Sequence, residues 1–272
     1  MDIHHSITKC SEKDAAWVLL IHGLTCDHTD WQPLVDLVSL THHCLSVDLR
    51  GHGQSDKLPG PYSMRNLAND VVGLIKSKIA EQPITVVSHS MGTRVAIAVS
   101  DALESQVVHQ VFVDGSRQAY GDPESTRQSI LNTLNDSQEH TAFVENLFGM
   151  MFSEKAMSAF GTPIVDRAKS IPREVFRELL AEMHWFDCQT LGESLQQLTS
   201  RGNTRLSVLQ STRVDRDSIR RSLQQNESSE YLEMIRELVP ASEITVIEKT
   251  GHFIQIEQPQ VVAKAISDPA RG

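Results

Sequence analysis

The chain has 272 residues, of which 40% are hydrophobic and 22% are charged, a balance typical of a globular protein that buries a substantial core. Its formal net charge is -10 and it contains no basic block, which argues against a nucleic-acid or anionic-membrane surface. We therefore expect a small, neutral or apolar substrate and neither a nucleic-acid nor a membrane partner. Nothing in the sequence indicates an oligomeric state.

The terminal segment and the cysteines point to an intracellular protein without a metal. Residues 1–5 form neither the basic nor the apolar part of a secretory signal, and no apolar run approaches the length of a membrane span. The four cysteines lack paired spacing, and we predict reduced thiols in a cytoplasmic protein. The 12 histidines form no compact ligand cluster, so neither a metal nor a cofactor is expected.

Segments with the character of strands alternate with helical segments, as in an α/β protein. Strands are predicted at residues 2–11, as an antiparallel edge strand, and at residues 15–21, 44–47, 84–88, 107–113, 205–210 and 243–247. Helices are predicted from the apolar stripe after Ser63 and from the Ala-rich run after Ser90. From about residue 117 to residue 203 the strand pattern disappears, and the segment is helical and rich in aromatic residues and methionine.

The strand over residues 84–88 leads into a sharp turn before a helix. The turn reads Ser88-His89-Ser90-Met91-Gly92. On such a turn the Ser90 hydroxyl is lifted above the carboxyl edge of the sheet, next to the free N–H groups of a helix N-terminus. This position favours a nucleophilic serine.

With three further motifs, this turn resembles the α/β-hydrolase family, whose nucleophile elbow reads G-x-S-x-G. Ser88 replaces the first glycine, at a position that needs a small side chain. The strand over residues 15–21 ends in His-Gly, residues 48–55 read D-L-R-G-H-G-Q-S, and residues 251–259 read G-H-F-I-Q-I-E-Q-P. The resemblance implies a mostly parallel eight-stranded sheet flanked by helices. It also implies a core formed by residues 1–116 and 204–272, with a helical cap, residues 117–203, inserted after the sixth strand.

By this resemblance, Ser90 is the nucleophile and His252 the base, while the backbone N–H groups of Leu24 and Met91 form the oxyanion hole. Two acids are open. Asp114 ends the strand over residues 107–113 and is favoured, whereas Asp215 follows the next core strand and would reach the site only through a one-residue slip.

Other residues are predicted to surround the substrate or to face solvent. The cluster from Phe148 to Phe152 is the best candidate for an apolar wall, because flexible methionines suit a variable pocket. The expected substrate-binding residues are His22, His89, Phe148, Met151, Phe152, Trp185 and Phe253. Charged residues after the strand over residues 205–210 are interpreted as a solvated face, namely Arg216, Asp217, Arg220 and Arg221.

The expected activity is that of a serine hydrolase, a carboxylesterase, which cleaves an ester or related acyl bond of a small, fairly apolar substrate through an acyl-enzyme with a Ser-His-Asp triad. A lactonase or a hydrolase of carbon–carbon bonds is an alternative within this chemistry. The serine-rich elbow also resembles that of the cofactor-free quinolone dioxygenases, in which a His/Asp pair deprotonates the substrate and the serine orients it. A non-catalytic binding protein on a hydrolase scaffold is the third reading.

Overall fold

The structure is a computed structural model that describes residues 3–57, 60–133, 137–200, 204–214 and 219–268, without the side chains of residues 199 and 200. Its main sheet contains β1 (His5–Thr8), β2 (Trp17–Ile21), β3 (His43–Val47), β4 (Ile84–His89), β5 (Val107–Val113), β6 (Arg205–Gln210) and β9 (Glu243–Val246). A separate hairpin is formed by β7 (Thr212–Val214) and β8 (Arg220–Ser222).

Helices connect the strands and cover both faces of the sheet. Those of the core are α1 (Gln32–Val38), α2 (Met64–Lys78), α3 (Gly92–Leu103), α10 (Glu230–Leu238), α11 (Ile254–Glu257) and α12 (Pro259–Ser267), with a 3-10 helix at His28–Trp31. Those between β5 and β6 are α4 (Pro123–Asn132), α5 (Ser137–Gly149), α6 (Glu154–Ala156), α7 (Thr162–Ser170), α8 (Arg173–Gln189) and α9 (Leu191–Ser200), with a π-helical turn at Met157–Gly161. We call residues 117–200, which carry this second group, the helical insertion. In the described part of the chain, no helix combines the length and the apolar character that crossing a bilayer requires.

The strand order is β1-β3-β2-β4-β5-β6-β9, and every neighbouring pair is parallel except β1 with β3. The described residues thus place seven strands in this sheet, not the eight that the family resemblance implies. β1 is the one described strand ahead of β2, and it lies at the sheet's edge, so the described sheet ends there. The seven segments with strand character in the sequence are the seven strands of the sheet.

Apolar side chains fill both faces of the sheet. One face packs against α2, α3 and the helical insertion through residues such as Leu67, Val95 and Phe176. The other packs against α1 and α12 through residues such as Leu34 and Ile266. Strands buried on both faces are expected for a parallel sheet covered by helices. This rigid core fixes the positions of the loops at the carboxyl ends of β4, β5 and β6.

Candidate active site

Three neighbouring parallel strands end at the same edge of the sheet. His89 pairs with Val113, and Val113 pairs with Leu209. The next residues continue this pairing, since the Ser90 N–H donates to the Val113 carbonyl at 3.1 Å and the Asp114 N–H donates to the Leu209 carbonyl at 2.8 Å. Parallel pairing therefore brings Ser90, Asp114 and residues 211 and 212 together although they are far apart in the sequence.

Ser90 lies on a tight turn between β4 and α3. Its φ is +52°, a left-handed conformation that few non-glycine residues adopt. A Cβ on Gly92 would come within 2.6 Å of the carbonyl oxygens of Ile21 and His22. Ser88 is fully buried, and its hydroxyl has no hydrogen-bond partner among the described residues. The turn thus requires glycine at position 92 and admits a small residue at position 88.

The loop after β2 lies directly against the turn. A Cβ on Gly23 would come within 3.0 Å of the Ser90 Cβ, so the chain that carries Leu24 passes beside the candidate nucleophile. Met91 lies between Ser90 and the first residue of α3. These are the positions from which two backbone N–H groups act on an oxyanion in an acyl-transfer site.

His252 and Asp114 form a buried pair. His252 Nδ1 lies 2.6 Å from Asp114 Oδ2, and the two residues are 1% and 0% exposed. Because an ionised carboxylate only accepts hydrogen bonds, the ring donates from Nδ1, and its Nε2 carries the free lone pair. This is the tautomer that a general base needs.

Asp114 is held by the loop after β6. Its Oδ1 accepts hydrogen bonds from the N–H groups of Ser211 (2.7 Å) and Thr212 (2.8 Å), and the Ser211 hydroxyl lies 3.0 Å away. Its Oδ2 accepts a hydrogen bond of 2.5 Å from the Thr212 hydroxyl as well as the one from His252. These donors stabilise the ionised carboxylate and fix its orientation.

Arg220, on β8, also reaches this pair. Its Nη1 lies 3.3 Å from Asp114 Oδ2 and donates to the Thr212 hydroxyl at 2.6 Å, and the side chain is only 9% exposed. The interpretation of Arg220 as part of a solvated face is therefore wrong. The hairpin of β7 and β8 turns the Arg220 side chain inward while Arg221 is exposed, because successive strand residues point to opposite faces. Arg216 and Asp217 lie outside the described residues.

Burial and charge shift the pKa values of the pair. Burial and, next, the Arg220 charge together lower the pKa of His252 to about 4, although Asp114 opposes the shift. Burial alone would raise the pKa of Asp114, but the hydrogen bond from His252 and the charges of His252 and Arg220 outweigh it and lower the pKa. Asp114 is thus ionised and His252 neutral at neutral pH.

The helical insertion touches the loop that carries His252. The His252 N–H donates to the Met151 carbonyl at 2.6 Å, and the Phe152 ring stacks in parallel on the Phe253 ring with 4.7 Å between centroids. Glu257 joins the same segments, because its carboxylate accepts hydrogen bonds from the Gly251 N–H (3.0 Å) and the Ser153 hydroxyl (2.6 Å). Residues 151–153 therefore bind the loop from the side of the insertion.

Comparisons with known proteins agree with this architecture. The family model described as "Alpha/beta hydrolase family" matches residues 18–265. The chain belongs to the alpha/beta hydrolase family. Among solved structures, it is similar to an esterase from Thermogutta terrifontis, with 22% identity, a TM-score of 0.72 and coverage of 97% of this chain and 91% of the other. It is also similar to the enol-lactonase of Burkholderia xenovorans, with 18% identity, a TM-score of 0.75 and coverage of 97% and 94%. Identities this low show the shared fold alone.

Curated relatives match over shorter stretches. The chain is 32% identical over 97 residues to a 2-(acetamidomethylene)succinate hydrolase of Mesorhizobium japonicum, covering 36% of this chain and 34% of that protein. It is 25% identical over 114 residues to an (E)-2-((N-methylformamido)methylene)succinate hydrolase of Acinetobacter baylyi, covering 42% of each. The chain thus spans less than half the length of these relatives.

Two histidines that were expected at the substrate hold loops of the hydrolase core. His89 is 1% exposed, and its Nε2 lies 3.0 Å from the His252 carbonyl. His22 is also 1% exposed, and its Nε2 accepts the Leu49 N–H at 2.9 Å. Both rings thus make contacts that hold loops of the site, and their contact with a substrate stays a prediction.

The other expected substrate residues lie in two places. Phe152 and Phe253 stack beside His252, and Phe148 and Met151 are buried in the same apolar cluster. Trp185 lies elsewhere on α8, with the Arg127 guanidinium 5.8 Å from its ring centroid. Their contact with a substrate stays a prediction. The alternative acid, Asp215, lies outside the described residues.

Several contributors to the site were not found from the sequence. Ser211, Thr212 and Arg220 contact an aspartate that lies 97 to 106 positions earlier in the chain. For residues 211 and 212 a signal existed, because they follow the strand next to β5 and polar residues at that edge of the sheet face the site. For Arg220 and the Met151 carbonyl, no local pattern indicates the contact.

One group of described side chains offers ligand atoms for a metal. His4, His28 and Asp48 bring one such atom each within 4.8 Å of one another. Asp48 already accepts hydrogen bonds from His4 Nδ1 (3.1 Å), His28 Nδ1 (2.8 Å) and the N–H groups of His28 (2.7 Å) and Gln54 (2.9 Å). These four hydrogen bonds engage all lone pairs of the Asp48 carboxylate. The cluster is therefore explained by a structural role, in which Asp48 anchors the loop after β3.

A cavity of about 260 Å³ opens next to that anchor, between the core loops and α7. Its lining includes Thr25, which follows the candidate oxyanion residue Leu24, as well as His52 and Arg167. Ser90 does not line it. Ser90 is 8% exposed, so little of this candidate nucleophile is open to solvent.

Proposed function

We propose that this hydrolase cleaves an ester or related acyl bond of a small, fairly apolar substrate, with Ser90, His252 and Asp114 as its triad. The observation that carries the proposal is the buried 2.6 Å contact between His252 Nδ1 and Asp114 Oδ2, in a loop cluster that also holds Ser90 on its strained turn. Along the chain the nucleophile comes first, the orienting acid second and the base third, which is the order typical of the alpha/beta hydrolase fold.

In the proposed mechanism, Ser90 Oγ attacks the acyl carbon while His252 Nε2 takes its proton. The N–H groups of Leu24 and Met91 stabilise the tetrahedral oxyanion, and each such donor contributes about 3 kcal/mol. His252 then gives the proton to the leaving oxygen, and a water that it activates releases the acid from Ser90. A positioned proton shuttle of this kind contributes about a hundred- to ten-thousandfold in rate.

The surroundings of the base favour apolar substrates. Phe152 and Phe253 stack beside His252, and Phe160 approaches Phe152 edge-on with 6.3 Å between centroids. We infer that the helical insertion acts as a cap that supplies this apolar wall, because residues 151–153 are bonded to the histidine loop. The named relatives include an esterase, an enol-lactonase and hydrolases of substituted methylenesuccinates, so the assay panel should contain an ester, a lactone and an N-acyl enamine.

The test compares initial rates on p-nitrophenyl acetate and butyrate for the wild type, Ser90→Ala and Ser88→Ala. We expect Ser90→Ala to fall to the uncatalysed background. Ser88→Ala is the matched control, because it removes a buried hydroxyl, two residues away, that has no hydrogen-bond partner among the described residues. We expect this variant to keep the wild-type rate.

Two outcomes would contradict the proposal. One is an inert wild type on all members of the panel, and the other is a Ser90→Ala variant that keeps its rate. Either result would direct attention to the dioxygenase alternative. There, oxygen uptake on a hydroxyquinolone would depend on His252, and loss of Ser90 would only weaken it.

A further inference from the structure

The Arg220 guanidinium places a positive charge next to both His252 and Asp114. Its Nη1 lies 3.3 Å from Asp114 Oδ2 and also 3.3 Å from His252 Nδ1. Since both nitrogens carry protons, the second contact is a close approach of two donors and not a hydrogen bond. The guanidinium is 9% exposed, and Asp114 is the one carboxylate that pairs with it among the described residues.

The charges of this cluster decide which state of His252 is favoured. At rest, one carboxylate and one guanidinium balance each other, and the imidazole is neutral. When His252 accepts a proton, the cluster gains a net positive charge in a buried site, where a like charge within 4–6 Å disfavours the charged form by about 1–3 pH units. Arg220 thus opposes protonation of His252 from solution.

We propose that Arg220 is a positioning residue that sets the lower pH limit of the reaction: its guanidinium shares the Asp114 carboxylate with His252 and keeps the base unprotonated in mildly acidic solution. This proposal rests on the proposed function, because it assumes that His252 is the base. The lowered pKa of His252, to about 4, agrees with it.

All charged or titratable groups that face the His252 ring in the described residues can be named. Asp114 comes from the end of β5, His89 from the end of β4 with 4.5 Å between ring centroids, and Arg220 from β8. Glu257 of α11 is bonded to Gly251 and Ser153 beside the same loop. Burial and the neighbouring His252 hold the pKa of His89 well below its usual value, so Arg220 is the one cation of this group at mildly acidic pH.

Arg220 does not lie on the substrate side of the base. It approaches the Nδ1 side of the ring, which faces Asp114, whereas the proton of Ser90 is taken by Nε2. A substrate contact is therefore not needed to explain its position. The Thr212 hydroxyl, which accepts from Arg220 and donates to Asp114, fixes the guanidinium in place.

The experiment measures kcat/KM against pH from 3 to 8.5 on a p-nitrophenyl ester, in wild type, Arg220→Gln, Arg220→Lys and Arg221→Gln, so that the range extends below the wild-type midpoint expected near 4. Arg221→Gln is the matched control, because it removes the same charge from the next, exposed residue. Far-ultraviolet circular dichroism at each pH shows that the fold is retained. Arg220→Met, which keeps the aliphatic stem, replaces Arg220→Gln if that variant does not fold.

We expect the midpoint of the acid limb to rise by about 1–3 pH units in Arg220→Gln, and this midpoint, not the plateau rate at high pH, is the readout. Arg220→Lys and Arg221→Gln should leave the midpoint within about half a unit, since the buried charge is kept in both. An unmoved midpoint in the neutral variant, whether the rate is intact or lowered equally at every pH, overturns the proposal. A wild type without activity would instead overturn the proposed function, so the two failures are distinguishable.

Discussion

Replacing Asp114 by asparagine is expected to move the ring proton of His252 from Nδ1 to Nε2. The backbone N–H groups of Ser211 and Thr212 need an acceptor at the Oδ1 position, so the new amide oxygen will occupy it. The amide NH₂ then takes the place of Oδ2, 2.6 Å from His252 Nδ1. Because it can only donate, it requires an unprotonated Nδ1, and the ring proton moves to Nε2, which can no longer accept the proton of Ser90.

The expected loss is large. With the wrong tautomer, a serine–histidine site loses about ten-thousandfold in kcat, equivalent to about 5.5 kcal/mol of barrier. The same change removes the counter-charge of the buried Arg220, so we also expect the free energy of unfolding to fall by about 3–5 kcal/mol. Far-ultraviolet circular dichroism and urea unfolding separate the two effects, because the tautomer acts on a protein that remains folded.

The assay measures kcat and KM of Asp114→Asn on p-nitrophenyl butyrate, with Asp215→Asn as the matched control for the alternative acid. We expect the control to stay within about threefold of the wild type, because Asp114 already fills the place of the orienting acid and a change that removes no transition-state interaction leaves kcat intact. The reasoning is refuted if folded Asp114→Asn keeps more than a tenth of the wild-type kcat. It is also refuted if Asp215→Asn shows the larger loss.

Two further predictions concern stability. Arg94 and Asp187 form a buried ion pair between α3 and α8, with contacts of 2.8 and 2.6 Å, so Arg94→Met should cost about 3–5 kcal/mol in urea unfolding. Arg127→Met, which breaks the more exposed pair with Glu182, should cost less than about 1 kcal/mol, and equal losses would contradict the account. Burial lowers the pKa values of His22 to about 3 and of His52, His109 and His252 to about 4. The unfolded chain therefore binds more protons. The free energy of unfolding should fall steadily as the pH drops from about 6.5 toward 4, by up to about 1.4 kcal/mol per histidine and pH unit, and the urea midpoint should fall with it. A midpoint that is equal at pH 7 and pH 5 would show that these rings are not buried in the neutral form.

The fold and the centre of the site follow from local sequence features. The seven strand segments could be predicted because buried parallel strands are continuous apolar runs, and Ser90 because its turn requires small residues at fixed positions. Asp114 was favoured over Asp215 because the resemblance allows an acid at the end of the sixth strand, whereas Asp215 would need a one-residue slip. The eighth strand was inferred from resemblance and not from residues, and the described sheet lacks it.

The site contacts that could not be predicted from the sequence join segments that lie far apart in the chain. How the short hairpin of β7 and β8 folds back decides whether Arg220 faces water or the Asp114 carboxylate. Residue type does not indicate this, because the neighbouring Arg221 is also an arginine and is exposed. His22 and His89 carry the chemistry of binding residues, yet their partners are backbone groups of Leu49 and His252. Residue type alone could not predict these backbone contacts.

Covalent labelling tests the central claim, a nucleophilic Ser90, most directly. The protein is incubated with a fluorophosphonate, and the modified residue is located by peptide mass mapping. We predict one label per chain on Ser90, no label in Ser90→Ala, and labelling slowed at least about a hundredfold in folded His252→Ala. A wild type that does not react, or a label on another residue that persists in Ser90→Ala, would contradict the proposed acyl-enzyme mechanism.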